Sequence, residues 1–295
     1  MKRLTRNHSI FAMDKQNHPV LYVDSGERFV VETEDCFSHQ IVESDDVLND
    51  NFDYSRVNPA TGPIFVNGCQ PGNTLKVTIH KIEVESQGVV EVYPGWGPLG
   101  NKVEKAATKI VSISEGGAKF GKYLLPLHPM IGVIGVAPVG EAVLCGSPGP
   151  HGGNLDTVNI AEGAEIYLPV FVSGAKLALG DVHAIMGDGE ICGTGVEIRA
   201  EVEMKLEICE NWQISNPVVK TKESYFFLGS AKTVEEAIQI AAEESVKFIQ
   251  KRNNISWTEA YMMASIATDL LFSQVVNPLK TVRIRIPRKI IDAEV

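Results

Sequence analysis

The 295-residue sequence lacks several features that would assign it to a familiar class. It contains no apolar run close to the roughly 20 residues that a membrane helix needs. Its first residues, MKRLTRNHSIFAM, show no apolar core of a secretory signal. Cationic side chains are in deficit, because 27 Lys and Arg stand against 37 Asp and Glu, for a net charge of −10. Nucleic-acid binding needs clustered cations, so we expect neither a membrane nor a nucleic-acid partner.

Cysteine is scarce and scattered along the chain. The five residues are odd in number and form no CxxC pair; they are Cys36, Cys69, Cys145, Cys192 and Cys209. This argues against both a disulfide framework and a cysteine-rich zinc site. The expected location is therefore a reducing compartment, the cytoplasm.

Several catalytic signatures are also absent. The sequence has neither the GxSxG of many serine hydrolases nor a phosphate-binding GxxxxGKS or GxxxxGKT loop. The Ser-Ser-Lys segment of the common serine amidases is missing too. Cys145 is a candidate nucleophile of a cysteine hydrolase, but the sequence offers it no partner base.

Most of the chain has the pattern of β-strands. Apolar and polar residues alternate in 74–84 and in 196–208, and two short strands are predicted within 20–35. Segments 165–172 and 175–185 flank a short Ser-Gly turn and predict a hairpin. Glycine and proline separate these segments. The pattern predicts a mainly β fold with β-sandwich or barrel-like domains.

The end of the chain differs, because two helices are predicted there. Thr233 with Glu236, and Ser256 with Glu259, form capping boxes that mark their starts. A strand, 281–286, follows the helices. The nearby basic residues are interpreted as its exposed face at a sheet edge; they are Lys280, Arg283, Arg285, Arg288 and Lys289.

We predict three regions from this pattern. They are an N-terminal β region (1–95), a central β region carrying an acidic and histidine-containing site (96–211), and a smaller C-terminal α+β region with two helices (212–295).

The stretch GDVHAIMGDGEICGTGVE, residues 180–197, concentrates the chemistry. Its glycines permit tight turns, and residues two apart in an extended chain share a face. Asp181 with His183, and Asp188 with Glu190, can therefore turn toward a common point, with Glu197 beside them. Such carboxylates repel one another unless a cation or a proton compensates. The alternatives are an acidic, solvated loop and a metal site that suits Zn²⁺, Mn²⁺, Fe²⁺ or Ca²⁺.

Three further segments carry polar candidates. Residues 147–157 contain His151, Asn154 and Asp156 around two glycines, and form either a binding loop or an ordinary turn. His128 precedes an apolar run and is either a candidate catalytic residue or part of a buried strand. Asp35, with His39 nearby, lies just past a predicted strand end.

Five segments occur in a characteristic order along nearly the whole chain. They are NPATGPIFVNGCQPGNTL (58–75), HPMIGVIGVAP (128–138), HGGNLDT (151–157), EIYLPVFVSGA (165–175) and GDVHAIMGDGEICGTGVE (180–197). Together they resemble the acetamidase/formamidase family. The resemblance implies hydrolysis of short aliphatic amides to a carboxylate and ammonia, a β-rich fold with a smaller α+β portion, a metal in the site, and a homo-oligomer, which we expect to be a dimer.

The resemblance also assigns residues to roles. The expected metal ligands are Asp35, Asp181, His183, Asp188 and Glu190. The expected catalytic residues are Glu197, Asp156, Asn154 and His128. His39 and His151 are less characteristic of the family and are not expected to be ligands.

The sequence departs from the family pattern at a few positions. Met186 stands where a glutamine is expected, which would affect substrate preference if it faces the site. Cys69 and Asn73 replace the usual alanine and aspartate.

The expected mechanism is metal-assisted hydrolysis by Zn²⁺, with Ca²⁺ as a candidate second ion. Glu197 or Asp156 would act as general base, and Asn154 or a glycine N–H of residues 152–153 would hold the oxyanion. The competing hypothesis is a non-catalytic β-rich module that binds Ca²⁺ or a small metabolite.

Overall fold

The computed structural model describes residues 1–49 and 52–291, and strands dominate it. The strands are β1 (Lys2–Leu4), β2 (Ser9–Ile10), β3 (Ala12–Met13), β4 (Leu21–Val23), β5 (Arg28–Thr33), β6 (Ala60–Val66), β7 (Thr74–Val84), β8 (Gln87–Val92), β9 (Ala107–Ser114), β10 (Gly117–Phe120), β11 (Tyr123–Leu125), β12 (Met130–Gly135), β13 (Val143–Leu144), β14 (Gly152–Asn154), β15 (Glu165–Pro169), β16 (Leu177–His183), β17 (Glu197–Ile198), β18 (Ala200–Cys209), β19 (Val218–Lys220), β20 (Ser224–Ala231), β21 (Asp269–Gln274) and β22 (Lys280–Pro287). Two α-helices, α1 (Val234–Asn253) and α2 (Trp257–Ala267), lie near the C-terminus. Short 3-10 helices occur at Tyr54–Arg56, Gly100–Lys102 and Arg288–Ile290.

Two large sheets contain nearly all of these strands. The nine-stranded sheet has the order β1-β5-β18-β7-β15-β19-β20-β22-β21. The eleven-stranded sheet has the order β11-β10-β9-β8-β17-β16-β12-β14, with β2, β4 and β6 joined to it through the pairing of β6 with β16. One buried apolar cluster takes Val202 and Met204 from β18 and Leu177 and Leu179 from β16. Since these strands belong to different sheets, the sheets pack on one another, and the predicted mainly β fold is confirmed.

The C-terminal helices form a smaller layer on the nine-stranded sheet. Helix α1 packs on β20 and β22 through Ala237, Ala241 and Ile249. Both predicted capping boxes are present, at Thr233 and Ser256. None of the helices in the described residues is long and apolar enough to cross a bilayer.

The predicted hairpin of 165–172 and 175–185 is wrong. Strand β15 pairs with β7 and β19 in the nine-stranded sheet, whereas β16 pairs with β12, β17 and β6 in the other. Most of β15 and all of β16 are buried. A strand that is covered on both faces shows no alternation of apolar and polar residues, so the sequence pattern did not reveal the true partners of β15 and β16. The short turn between them did not identify a hairpin either.

The interpretation of 281–286 as an edge strand is also wrong. Strand β22 lies between β20 and β21 and is therefore internal. Arg283, assigned to an exposed face, is only 1% exposed. Its alternation with buried Val282 and Ile284 reflects a strand whose two faces are both covered at this point.

The predicted boundaries near residues 95 and 211 stay predictions. The nine-stranded sheet draws strands from all three predicted regions, since β7, β15 and β22 belong to one region each.

Candidate active site

Acidic side chains and one histidine meet at one end of the eleven-stranded sheet. Asp181 and His183 lie within the last three residues of β16. The register with β17 places His183 opposite Glu197. Asp156 follows β14, which pairs with β12 beside β16, and Glu190 lies in the loop after β16. All five side chains are between 1% and 6% exposed. We call these five residues the acidic cluster.

His183 lies between two carboxylates. Its Nε2 is 3.1 Å from Oε2 of Glu197 and 3.4 Å from Oδ1 of Asp181. The other oxygen of Glu197, Oε1, accepts a 2.8 Å hydrogen bond from the backbone N–H of Gly195. Glu197 Oε2 and His183 Nδ1 are buried and have no properly oriented hydrogen-bond partner within the described ranges. Buried polar atoms are normally satisfied, so each of these two atoms can accept or share a further ligand or proton.

Two asparagine side chains bind the carboxylates of Asp156 and Asp181. Asn277 donates from Nδ2 to Oδ2 of Asp156 at 2.6 Å. The Asn154 carboxamide is oriented with its nitrogen toward Asp181 and Asp156, at 3.0 Å from each, because its oxygen would otherwise face carboxylate oxygens. Asn277 lies in the loop between β21 and β22, and nothing in the sequence pattern singled it out. The C-terminal region therefore contributes directly to the site.

The cluster offers two sets of metal-ligating atoms. In one set, ligand atoms of Asp156, His183 and Glu190 lie within 4.8 Å of one another; in the other, those of Cys36, Asp181 and Glu197 do so. All six side chains are buried. The first set combines imidazole nitrogen with carboxylate oxygen, a donor combination that suits Zn²⁺ and related ions. Sequence reasoning named the neighbouring Asp35 but missed Cys36, because a cysteine without a second cysteine nearby carries no ligand signature.

The backbone at the cluster is unusual. Asp156, Asp181 and Glu190 have φ values of 40°, 54° and 48°, in the left-handed region that non-glycine residues rarely adopt. Such conformations cost on the order of 1–3 kcal/mol each and persist only where the surroundings enforce them. Three of the five cluster residues thus carry backbone strain, a feature that gathers at functional sites.

Two glycines make room for the cluster. A Cβ on Gly132 would lie 2.6 Å from Oδ1 of Asp156 and 2.7 Å from the backbone oxygen of Asp181. A Cβ on Gly195 would lie 2.8 Å from Nδ1 of His183. Any side chain at these two positions would push the cluster residues apart.

Burial and like charge shift the ionisation of the cluster. Burial, helped by the charge of Asp181, raises the pKa of Asp156 to about 7 and that of Glu197 to about 8. Burial and the charge of Asp156 raise the pKa of Glu190 well above its usual value. Burial alone would lower the pKa of His183, but Glu197 and Asp181 outweigh it and raise that pKa well above the usual value. The cluster therefore retains protons at pH values where isolated carboxylates have lost them.

The cluster opens into a cavity of about 550 Å³. Asp181, Glu190 and Glu197 line it, together with Asn154 and Asn277. Asp156 and His183 are not among its lining residues and lie behind them. Asp181, Glu190 and Glu197 can therefore contact a molecule in the cavity directly, whereas Asp156 and His183 contact the other cluster residues.

Asp188 does not join the cluster. Both oxygens of its carboxylate accept hydrogen bonds from Nη2 of Arg283, each at 2.8 Å. Arg283 also donates to the backbone oxygen of Phe272 and to Oγ of Ser273, which is 3.3 Å away. A buried guanidinium needs a counter-ion, and this requirement takes Asp188 away from the predicted ligand set.

Asp35 and His128 also lie apart from the cluster. Oδ1 of Asp35 accepts from the N–H groups of Phe37 and His39, at 2.9 and 3.0 Å, and so shapes the turn that carries Cys36. Asp35 lines a separate cavity of about 220 Å³, which it shares with Glu197. His128 is exposed and lines neither cavity.

Three other positions can now be placed. Met186 is buried and does not line the main cavity, so the expected effect on substrate preference has no direct contact to act through. His151 is buried, which lowers its pKa to about 4. Cys145 is fully buried, its pKa is raised to about 12 by burial, and its neighbours Leu144 and Gly146 line the cavity instead of it. A buried, protonated thiol is not a nucleophile.

Comparison with known proteins decides the family. The model of the Acetamidase/Formamidase family matches residues 14–144 and 140–293. The chain belongs to this family. The expected resemblance is confirmed, and neither this match nor the relatives below support a non-catalytic binding module.

Solved structures of relatives share the whole fold. A structure described as a predicted acetamidase/formamidase from Thermoanaerobacter tengcongensis is 47% identical, with coverage of 99% of this chain and 97% of that one and a TM-score of 0.96. The acetamidase of Bacillus halodurans is 44% identical, with 97% coverage of both chains and a TM-score of 0.94. Among curated proteins, a putative formamidase of Schizosaccharomyces pombe is 29% identical over 64% of this chain. The chain spans only 61% of that relative's length.

The Asp188–Arg283 pair predicts unequal effects of removing two aspartates that each bind an arginine of β22, Asp188 in the loop after β16 and Asp269 at the start of β21. Asp188→Ala leaves the buried guanidinium of Arg283 without this counter-ion. Because the Arg283 side chain is 2% exposed but the Asp188 side chain is 42% exposed, the substitution should lower the free energy of unfolding by about 1–3 kcal/mol. The control is Asp269→Ala, whose 2.7 Å pair with Arg285 is half exposed and should contribute about 1 kcal/mol or less. Urea unfolding measures both losses, and equal losses would contradict the assigned role of Asp188.

The close packing of Gly132 predicts a second asymmetry. Gly132→Ala places a methyl group against Asp156 and Asp181 and should lower the free energy of unfolding by about 1–3 kcal/mol. Gly140→Ala is the control, because an added Cβ there meets no atom within 4 Å. Thermal unfolding of the two variants should differ clearly, and an unchanged melting temperature for Gly132→Ala would refute the packing argument.

Proposed function

We propose that this protein is a metal-dependent hydrolase of short carboxamides, which it converts to a carboxylate and ammonia. The observation that carries this proposal is the buried acidic cluster at the end of a 550 Å³ cavity. Family membership supports it, as do the names acetamidase and formamidase given to the relatives.

The proposed metal would be held by Asp156, His183 and Glu190. Their donor atoms converge, they are buried, and four carboxylates around one imidazole leave excess negative charge that a divalent cation would balance. When bound, such an ion supplies Lewis-acid chemistry, which polarises a carbonyl and makes a bound water more acidic. We propose Zn²⁺ because of the imidazole donor. Ca²⁺ remains our proposal for a second ion, although the Cys36 thiol in the second ligand set favours a softer metal there.

Glu197 is the proposed general base. Its carboxylate lines the cavity, its Oε1 is fixed by Gly195, and its Oε2 has no hydrogen-bond partner of suitable orientation among the described residues. In its ionised form, which a bound cation would favour, Oε2 can take a proton from water as the water oxygen bonds to the amide carbon. The same proton can pass to the amide nitrogen as the C–N bond breaks and ammonia leaves. Asp156 is less suited to this role, because it does not line the cavity and Asn277 binds one of its oxygens.

Asn154 acts in this proposal by holding carboxylates in place. Its amide nitrogen faces Asp156 and Asp181, and the N–H of Gly152 is bonded to the backbone oxygen of Gly149 at 3.0 Å. The Asn154 amide and the Gly152 N–H are engaged, which argues against these two groups as the oxyanion donors expected from the sequence. The N–H of Gly153 stays a proposed oxyanion donor. The homodimer and the cytoplasmic location remain proposals that rest on the family resemblance and on cysteine usage.

Ammonia release tests the proposed reaction. The purified protein loaded with Zn²⁺ should release ammonia from acetamide or formamide, and His183→Ala should lower kcat/KM by about a thousandfold, because metal-ion catalysis supplies several kcal/mol. Cys145→Ser should leave kcat/KM within about twofold, since that thiol is buried and protonated. Loss of activity in Cys145→Ser, with His183→Ala still active, would favour a cysteine hydrolase instead.

The raised carboxyl pKa values predict how pH affects the metal-free protein. Asp156 and Glu197 would ionise near pH 4 when unfolded but at about 7 and 8 when folded. The folded state therefore binds more protons between pH 4 and 8, so its stability falls as pH rises through this range. The melting temperature of chelator-treated protein should fall between pH 5 and 8.5.

Metal should reverse this trend. Zn²⁺ binds the deprotonated ligands of the folded state and should raise the melting temperature most at the alkaline end. Glu197→Gln is a matched control, because it removes one titrating carboxylate and should flatten the pH dependence of the metal-free protein. A melting temperature that does not respond to Zn²⁺, Mn²⁺ or Ca²⁺ at pH 8 would contradict the metal site.

A further inference from the structure

The cavity is much larger than the amides named for the relatives. A water molecule in the liquid takes about 30 Å³, and acetamide takes the room of about three waters. The cavity of about 550 Å³ thus has several times the volume of acetamide. Its size falls in the range of roughly 300–1,000 Å³ found for pockets that hold drug-sized ligands.

Apolar side chains form much of the cavity wall beyond the acidic cluster, beside the polar side chains of Ser55, Asn58 and Ser147. Separate segments of the chain contribute the apolar side chains: Phe11, Phe37, Leu48, Tyr54, Trp96 and Leu144. The polar groups that can act on an amide, those of Glu190 and Glu197, lie at the cluster. Formamide or acetamide at the cluster would leave most of this apolar surface in water, and the protein would gain no binding energy from it.

Charge narrows the class of molecule that fits. None of the described residues that line the cavity is Lys, Arg or His, whereas Asp181, Glu190 and Glu197 are acidic. An anionic substituent on the substrate would find no cationic partner and would be repelled by the cluster. An uncharged apolar substituent has neither disadvantage.

We propose that the preferred substrates are primary carboxamides that carry an uncharged apolar acyl chain or aryl group, such as hexanamide and phenylacetamide. The carboxamide lies at the acidic cluster, and the apolar group lies against Tyr54, Trp96 and Leu144. This inference rests on the proposed amide hydrolysis and extends the substrates of the same site from short to longer carboxamides. The covalent step is unchanged, since water cleaves the C–N bond to give the carboxylic acid and ammonia.

A homologous series of substrates tests the inference. The values of kcat/KM should rise from formamide and acetamide through butyramide to hexanamide, by up to about fourfold for each buried methylene group. We expect hexanamide and phenylacetamide to exceed acetamide by about 20-fold or more. Succinamate, which carries a carboxylate at the far end, should be hydrolysed less efficiently than butyramide by about 100-fold, because that charge would lose water, meet no cation among the described residues of the cavity wall and be repelled by the cluster.

A pair of matched variants tests whether the preference for longer amides arises at the cavity wall. Leu144→Glu introduces charge at the apolar wall and should lower the ratio of kcat/KM for hexanamide to that for acetamide by about tenfold. Val139→Glu is the control, because Val139 is 65% exposed, as Leu144 is 68% exposed, but does not line the cavity. The ratio should be unchanged in Val139→Glu.

The outcomes separate this inference from the proposed function. Hydrolysis of acetamide with kcat/KM that falls along the series would overturn the inference and leave the proposed function intact. A rising series that responds equally to Leu144→Glu and Val139→Glu would also overturn the assigned wall. Failure to release ammonia from every amide, with Zn²⁺ bound, would overturn both.

Discussion

The burial of four carboxylates around one histidine is the constraint on which the rest of this structure depends. Taken out of water, these groups repel one another, and each needs a hydrogen bond, a proton or a cation in compensation. Asn154 and Asn277 supply amide donors, Gly195 supplies a backbone N–H, and the pKa values of several cluster carboxyls rise. The remaining imbalance is the physical reason for proposing a divalent cation. The strained backbone at three cluster residues shows that the surrounding sheets enforce this arrangement.

The C-terminal region holds the site from one side. The loop between β21 and β22 brings Asn277 to Asp156, and Arg283 on β22 fixes Asp188 in the loop that carries Glu190. The same loop is tied to β21 by hydrogen bonds between the backbones of Gly189 and Ser273 and of Val275 and Gly189. Helices α1 and α2 stabilise the sheet that bears these strands. The helical layer packs on the sheet whose strand β22 carries Arg283.

The errors in the sequence-based expectations share a cause. Local alternation reveals which residues can share a face of a strand, but a strand covered on both faces buries polar and apolar residues alike. Arg283 was therefore assigned to solvent, and Asp188, its partner, to the metal. The hairpin predicted for 165–185 failed for a related reason, because a short turn does not reveal that the chain crosses from one sheet to the other.

The sequence by itself determined the mainly β fold, both helix starts, the family, and the segments from which the cluster residues come. These follow from short-range periodicity, capping boxes and motifs, all of which involve residues close in the chain. Only the tertiary structure decided which of those residues meet. It brought Cys36 and Asn277 to the cluster from distant segments and kept Asp35, Asp188 and His128 apart from it. It also gathered the apolar residues of the cavity wall from separate segments of the chain. Such contacts depend on how two sheets pack on each other, and no local pattern records that packing.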